Sequence, residues 1–260
     1  MHFSPTLRQG SLIRRYKRFL ADIVLDDGEC ITAHCPNTGS MLGCRAPGSR
    51  VWVSRASNPA RKLAWTWELV EVAGPTLVGI HTGRANGLVA EAIRAGEIEP
   101  LSGYDSLRAE VPHPLGGRAD FLLTDPGRKP CWVEVKSVTL ADRRGNGLFP
   151  DAVSARAVRH LETLAATVRG GERAVLLFCV QREDVDRVLP ADRIDPAYAR
   201  ALAEAQAAGV EILAWRARVS PERLYLERQL AVSVHGMEPR TASGTRNGAS
   251  RPVPPDPGMF

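Results

Sequence analysis

Seven consecutive apolar residues at positions 174–180 (Ala-Val-Leu-Leu-Phe-Cys-Val) leave this chain few architectures. An unbroken apolar run of that length reads as a strand buried on both faces, the central place in a largely parallel sheet. Helical patterns flank it. Residues 154–169 put Val158, Leu161, Ala165 and Val168 on one face, and Gly170-Gly171 ends them. Asp195-Pro196 caps and opens a second helix that runs to Ala208 and stops at Gly209, after which residues 210–217 return as a strand. Upstream, residues 120–123 and 131–135 read as strands joined by a polar Asp-Pro-Gly turn. Residues 86–95 carry Leu88, Val89, Ala92 and Ile93 at helical spacing, closed by Gly96. The expected layout from residue 83 to 235 is α/β, a central sheet covered by helices.

The first third has a different texture. Residues 19–25, 30–35, 51–57, 63–72 and 77–82 read as strands, punctuated by Asp26-Asp27-Gly28, Pro47-Gly48, Asn58-Pro59 and Gly74-Pro75. Five short strands in about 80 residues suggest a small closed barrel of the OB type over residues 1–82. Residues 236–260, rich in Pro, Gly, Ser, Thr and Arg, read as a disordered tail. With 44% hydrophobic and 24% charged residues in 260, the chain is neither a disordered nor a fibrous protein. It has no apolar run of about 18 residues, so no membrane-spanning helix is expected. The first ten residues lack a secretory layout, which points to the cytoplasm. Five cysteines without a CxxC pair read as free thiols.

The net charge of +5 is unevenly spread. Residues 1–82 hold 10 basic and 6 acidic side chains, whereas residues 83–235 hold 21 of each. A basic excess of this kind suits a phosphate-backbone binder, and is also common on proteins that bind no nucleic acid. Within it, Arg14-Arg15-Tyr16-Lys17-Arg18, followed by Phe19, interleaves cations with aromatics that can grip phosphates and stack on bases. A solvated strand edge with snorkelling side chains is the equal alternative.

The strongest local signal is Asp120 followed, across a turn, by Glu134-Val135-Lys136. Residues two apart on a strand share a face, so Glu134 and Lys136 point one way and Val133 and Val135 the other. A hairpin would bring both carboxylates and the ammonium to one sheet edge. Hard oxygen ligands of this type, with the Val135 carbonyl, suit Mg²⁺ or Mn²⁺, and the lysine can orient water and steady negative charge. A surface Glu–Lys pair is the commoner outcome of so short a match. Glu110 or Glu91 is a candidate outer carboxylate, though nothing in their spacing forces it. His34, Cys35 and Cys44 lack a fourth metal ligand, and the Pro-Asn-Thr-Gly stretch at 36–39 reads better as a tight turn whose amides face a phosphate or merely close a loop.

At these residues the chain resembles the sugar fermentation stimulation protein A (SfsA) family of bacteria and archaea. The matching blocks are LIRRYKRFLAD at 12–22, HCPNTGSM at 34–41, TWEL at 66–69 and LSGY at 101–104. They continue with DFLL at 120–123, VEVKSVTL at 133–140, FPDAV at 149–153 and GVEILA at 209–214. The resemblance implies an N-terminal OB-like domain and a C-terminal domain similar to PD-(D/E)xK nucleases. It also implies non-specific DNA binding and a regulatory link to sugar (maltose) metabolism. Carried over by residue, Asp120 is the motif acid, Glu134 the second acid and Lys136 the lysine. Two departures stand out. Ala119 replaces the usual Ile before the acid. In the following helix Ala157-Val158-Arg159-His160-Leu161 replaces Gly-Gln-Lys-His-Leu, so Val158 stands where a glutamine often assists such sites.

Overall fold

A computed structural model describes residues 1–234; the tail predicted for 236–260 lies outside the described residues. The first sheet contains β1 (Arg8–Tyr16), β2 (Leu20–Leu25), β3 (Cys30–His34), β4 (Arg50–Arg55), β5 (Trp65–Val72) and β6 (Thr76–Gly79). Its order is β3-β2-β1-β4-β5-β6, and an additional parallel pairing of β3 with β5 closes a five-stranded barrel. The barrel is the one expected, with a corrected membership. Arg8–Tyr16 supplies the strand joining β2 to β4, while the expected fifth strand, β6, lies outside the ring. Charge hid β1: Leu12 points into the core, but Ser11, Ile13 and Arg14 are exposed, which blurs any alternation. Gly10 is required here, because a Cβ would lie 2.4 Å from the Val24 carbonyl oxygen across the β1–β2 pair. Leu12, Ile23, Val51, Val53 and Trp67 fill the barrel.

The second domain opens with α1 (Thr82–Arg94), four residues earlier than the apolar spacing indicates, and a single 3₁₀ turn at Glu99–Leu101. It continues with β7 (Ser106–Pro112), β8 (Arg118–Asp125), β9 (Arg128–Val138), β10 (Leu140–Ala141), β11 (Asn146–Phe149) and α2 (Ala155–Arg169). Then come β12 (Arg173–Val180), β13 (Arg187–Pro190), α3 (Pro196–Ala207), β14 (Glu211–Val219), β15 (Leu224–Gln229) and β16 (Ala231–Val232). The main sheet has the order β15-β14-β12-β9-β8-β7, with β12 parallel to both neighbours and buried from Ala174 to Val180. One face packs on α1, through Val133, Val135, Val175 and Leu177; the other packs on α2 and α3, through Leu176, Phe178, Leu161 and Leu202. β10, β11, β13 and β16 form a small second sheet. The expected Asp-Pro-Gly turn is the β8–β9 hairpin, closed by Gly127 N–H donating to Asp125 Oδ1 at 2.7 Å. Strand β7 escapes sequence reading because it is a mostly exposed edge with no apolar alternation.

The two domains are fastened together. Buried Glu68 of β5 accepts two hydrogen bonds from Arg84 of α1, at 2.8 and 2.7 Å, and one from Ser54. Gly79 N–H donates to the Gln181 carbonyl just beyond β12. The first residues cross to the second domain, where Phe3 and Met1 exchange backbone hydrogen bonds with Glu222 and Leu224.

Candidate active site

The β8–β9 ladder runs from Asp125 opposite Arg128 to Phe121 opposite Val133. One residue further on, the Asp120 side chain takes the Val135 N–H at 2.7 Å, so a carboxylate serves where a strand carbonyl would otherwise accept. The other Asp120 oxygen accepts from Asn86 Nδ2 of α1 at 2.8 Å. Glu134, beside Asp120 on β9, faces α2. Lys136 Nζ donates to Glu134 Oε1, and His160 Nδ1 meets the same oxygen. Lys136 Nζ lies 3.3 Å from His160 Nδ1, and Arg156 Nε donates to His160 Nε2 at 3.3 Å. A guanidinium can only donate, so the Arg156 contact suits the tautomer with its lone pair on Nε2 and its N–H on Nδ1 toward Glu134.

The three residues expected from sequence, Asp120, Glu134 and Lys136, thus converge, and each acid is held from a different face of the sheet. Their electrostatics differ. Burial, then the charge of Glu134, raises the Asp120 pKa, outweighing the hydrogen bonds from Val135 and Asn86. Burial also works against ionised Glu134, but the His160 hydrogen bond and the Lys136 charge prevail and hold its pKa below the usual value. The sequence did not single out Asn86 or His160. His160 sits three residues after Ala157 and four before Leu164, both buried, so helical spacing places it on the rim of the buried face of α2. No such signal marks Asn86, whose role depends on where α1 crosses the sheet.

These residues suit a hard cation. Asp120, Glu134 and the Val135 carbonyl are oxygen donors, and buried Glu134 with half-buried Asp120 carries more negative charge than Lys136 offsets. Among the described residues no group of three or more His, Cys, Asp and Glu side chains has metal-holding geometry, so a cation here would rest on two side chains, a carbonyl and water. Glu91 is turned to the Met1 amino group and Glu110 pairs with Arg118; neither joins the site.

The cluster at residues 14–18 is divided by the structure. Arg14 Nε is bonded to Asp22 at 2.8 Å and its guanidinium lies over Tyr16, whose hydroxyl also reaches Asp22. Arg15 donates to the carbonyls of Arg18, Asn37 and Gly39, pinning the loop at 37–39. Lys17 and Arg18 form the exposed β1–β2 turn in left-handed conformations, free of such duties. Arg18 and the 37–39 loop line a cleft of about 470 Å³ whose other wall contains Asn86, Val135, Lys136 and residues 148–154. The Pro-Asn-Thr-Gly stretch, expected as a tight turn, is an irregular loop in which Gly39 N–H donates to Asn37 Oδ1 at 2.9 Å. Cys35 beside it is buried, and burial raises its thiol pKa, away from the thiolate a nucleophile needs. All five cysteines are free. No helix among the described residues is long and apolar enough to cross a membrane.

A model of the "Sugar fermentation stimulation protein RE domain" matches residues 83–223, and one of the "SfsA N-terminal OB domain" matches residues 13–80. The sugar fermentation stimulation protein homolog of Alkalilimnicola ehrlichii is 59% identical over 237 residues, covering 89% of this chain and 99% of that relative. The homolog of Halorhodospira halophila is 54% identical over 92% of this chain and 99% of its own length. A solved structure of Pyrococcus furiosus SfsA in complex with Ca²⁺ superposes with a TM-score of 0.80 at 27% identity, covering 90% of this chain and 98% of that one.

Proposed function

The chain belongs to the sugar fermentation stimulation protein family, and on that premise we propose that it is a cytoplasmic DNA-binding protein whose second domain hydrolyses phosphodiesters with a divalent cation. The observation that carries the reading is the convergence of Asp120, Glu134 and Lys136 beside a cleft shared by both domains. Asp120, Glu134 and the Val135 carbonyl would hold Mg²⁺ or Mn²⁺. The Pyrococcus furiosus relative is described with Ca²⁺, another cation that takes oxygen ligands. A divalent ion bound there supplies Lewis acidity and neutralises charge on the phosphate. Lys136, held by Glu134, orients an attacking water and steadies the negative charge that develops on the phosphate oxygens. His160 and Asn86 fix the two acids. Lys17 and Arg18 meet the backbone of DNA without regard to its sequence.

A second reading is a DNA-binding regulator of sugar (maltose) metabolism that keeps this site without turnover. Val158 favours it: the side chain packs partly buried against the core and offers no polar group toward a phosphate. The test is incubation of labelled DNA with pure protein in Mg²⁺, Mn²⁺ or EDTA, beside Lys136→Ala. Cleavage that needs the metal and is lost in Lys136→Ala supports the nuclease. Tight binding with no cleavage in any metal leaves the regulator.

A further inference from the structure

The cleft beside the acids is also a gauge for what can enter, and we infer that it admits a single nucleic-acid strand and excludes an intact duplex. The inference rests on the nucleic-acid reading above and specifies its substrate. About 470 Å³ is the size of a small-molecule pocket, room for a nucleotide or two and too little for a paired helix. Its walls do not belong to one domain. The loop at 37–39 comes from the barrel, and residues 149–154 come from the second domain.

Where these loops meet, they are bolted together. Ser40 Oγ donates to the Asp151 carbonyl, and Met41 N–H donates to Asp151 Oδ2 at 2.9 Å. Gly39 lies so close that a Cβ would stand 2.5 Å from the Asp151 carboxylate. Arg15 holds the barrel loop from behind. The cleft is therefore shut on that side, and a strand must enter from the open one rather than lie across it with its complement.

The rim suits unpaired bases. Val153 is 76% exposed on one cleft wall, and Phe19, 48% exposed, directly follows Arg18 of the opposite wall. Apolar groups left in water beside cations are what splayed bases and their phosphates need together: stacking or packing for the base, charge for the backbone. Arg18 stands on one wall and Lys136 on the other, so a phosphate between them meets a cation on each side.

The test is fluorescence anisotropy of three labelled oligonucleotides of one sequence: a single strand, a blunt duplex and a duplex with a forked end, in Ca²⁺ at low salt. The single strand and the fork should bind at least about tenfold tighter than the blunt duplex. Val153→Asp, which puts an anion on the rim, should remove most of that advantage. Leu115→Asp, at an exposed hairpin tip outside the cleft, should leave it intact. Equal or tighter binding of the blunt duplex overturns the inference while leaving nucleic-acid binding standing. An equal loss in Leu115→Asp and Val153→Asp overturns the assignment to this cleft. Failure of all three oligonucleotides to bind overturns the nucleic-acid reading itself.

Discussion

Asp120 and Glu134 are adjacent acids under opposite constraints, and that difference is measurable without any substrate. Asp120 has its pKa raised by burial and by Glu134. A group whose folded pKa exceeds its unfolded value costs stability once pH rises through that interval, so ionised Asp120 weighs on the metal-free fold at pH 7. Asp120→Asn should raise the Tm of the protein in EDTA at pH 7. At a pH below the usual carboxylate range the gain should vanish; scanning calorimetry at both pH values decides it. The same substitution should abolish divalent-cation binding, separating a functional acid from a stabilising one. Glu134 needs a different probe, because His160 and Lys136 occupy its Oε1 and leave Oε2 as the oxygen available to a cation. His160→Ala should weaken Mn²⁺ binding by about tenfold in calorimetric titration, while His160→Gln, which keeps a donor, should recover most of it. Strand spacing made the shared face of Glu134 and Lys136 legible in the sequence, while the roles of these two and of Asp120 came from the family resemblance. His160 and Asn86 were not legible, since each comes from a helix whose crossing over the sheet is a tertiary outcome.

Elements whose local chemistry is self-sufficient were readable; those created by neighbours were not. The central strand announced itself by continuous apolar side chains, and α3 by its Asp195-Pro196 start. Strands β7 and β13 are short or exposed segments whose pairing partners make them strands. Asp195 also does something no local pattern reveals. Its Oδ1 caps α3 by accepting the Tyr198 N–H at 3.0 Å, and its Oδ2 accepts the N–H of Ser154, the residue that caps α2. One buried carboxylate thus sets the starts of both helices behind the site. Ser154→Ala removes one cap and should cost about 1 kcal/mol. Asp195→Ala strands two N–H groups in a buried place and should cost about 2–3 kcal/mol. Urea denaturation of both variants checks the order, and a larger loss for Ser154→Ala would contradict the shared-cap account.

The relation between the domains is the feature least visible in the sequence, because it depends on contacts between residues far apart in the chain. Glu68, with its side chain 2% exposed, relies on Arg84 across the junction, and that guanidinium also lies over Phe3. Arg84→Ala leaves a buried carboxylate without its cation and should cost about 3 kcal/mol. Pairing Glu68→Gln with Arg84→Met should restore much of the loss, since no charge is then buried; thermal melts of the single and double variants test it. The junction in turn fixes how the barrel's charge addresses the cleft. Residues 1–82 hold four more basic than acidic side chains, but Arg14 and Arg15 are occupied by Asp22 and by loop carbonyls. Lys17 and Arg18 are therefore the cations of that cluster positioned to release counterions when DNA binds. For a single strand each lost phosphate contact should lower the slope of log affinity against log salt by about 0.7. Lys17→Ala/Arg18→Ala should reduce the slope by about 1.4, equally for unrelated sequences, in a salt series read by anisotropy. Arg14→Ala should change it little, because its charge is already paired. A slope unchanged in the double variant would move the phosphate track off the barrel turn, leaving exposed Arg143, Arg144 and Arg159 of the second domain as its candidates.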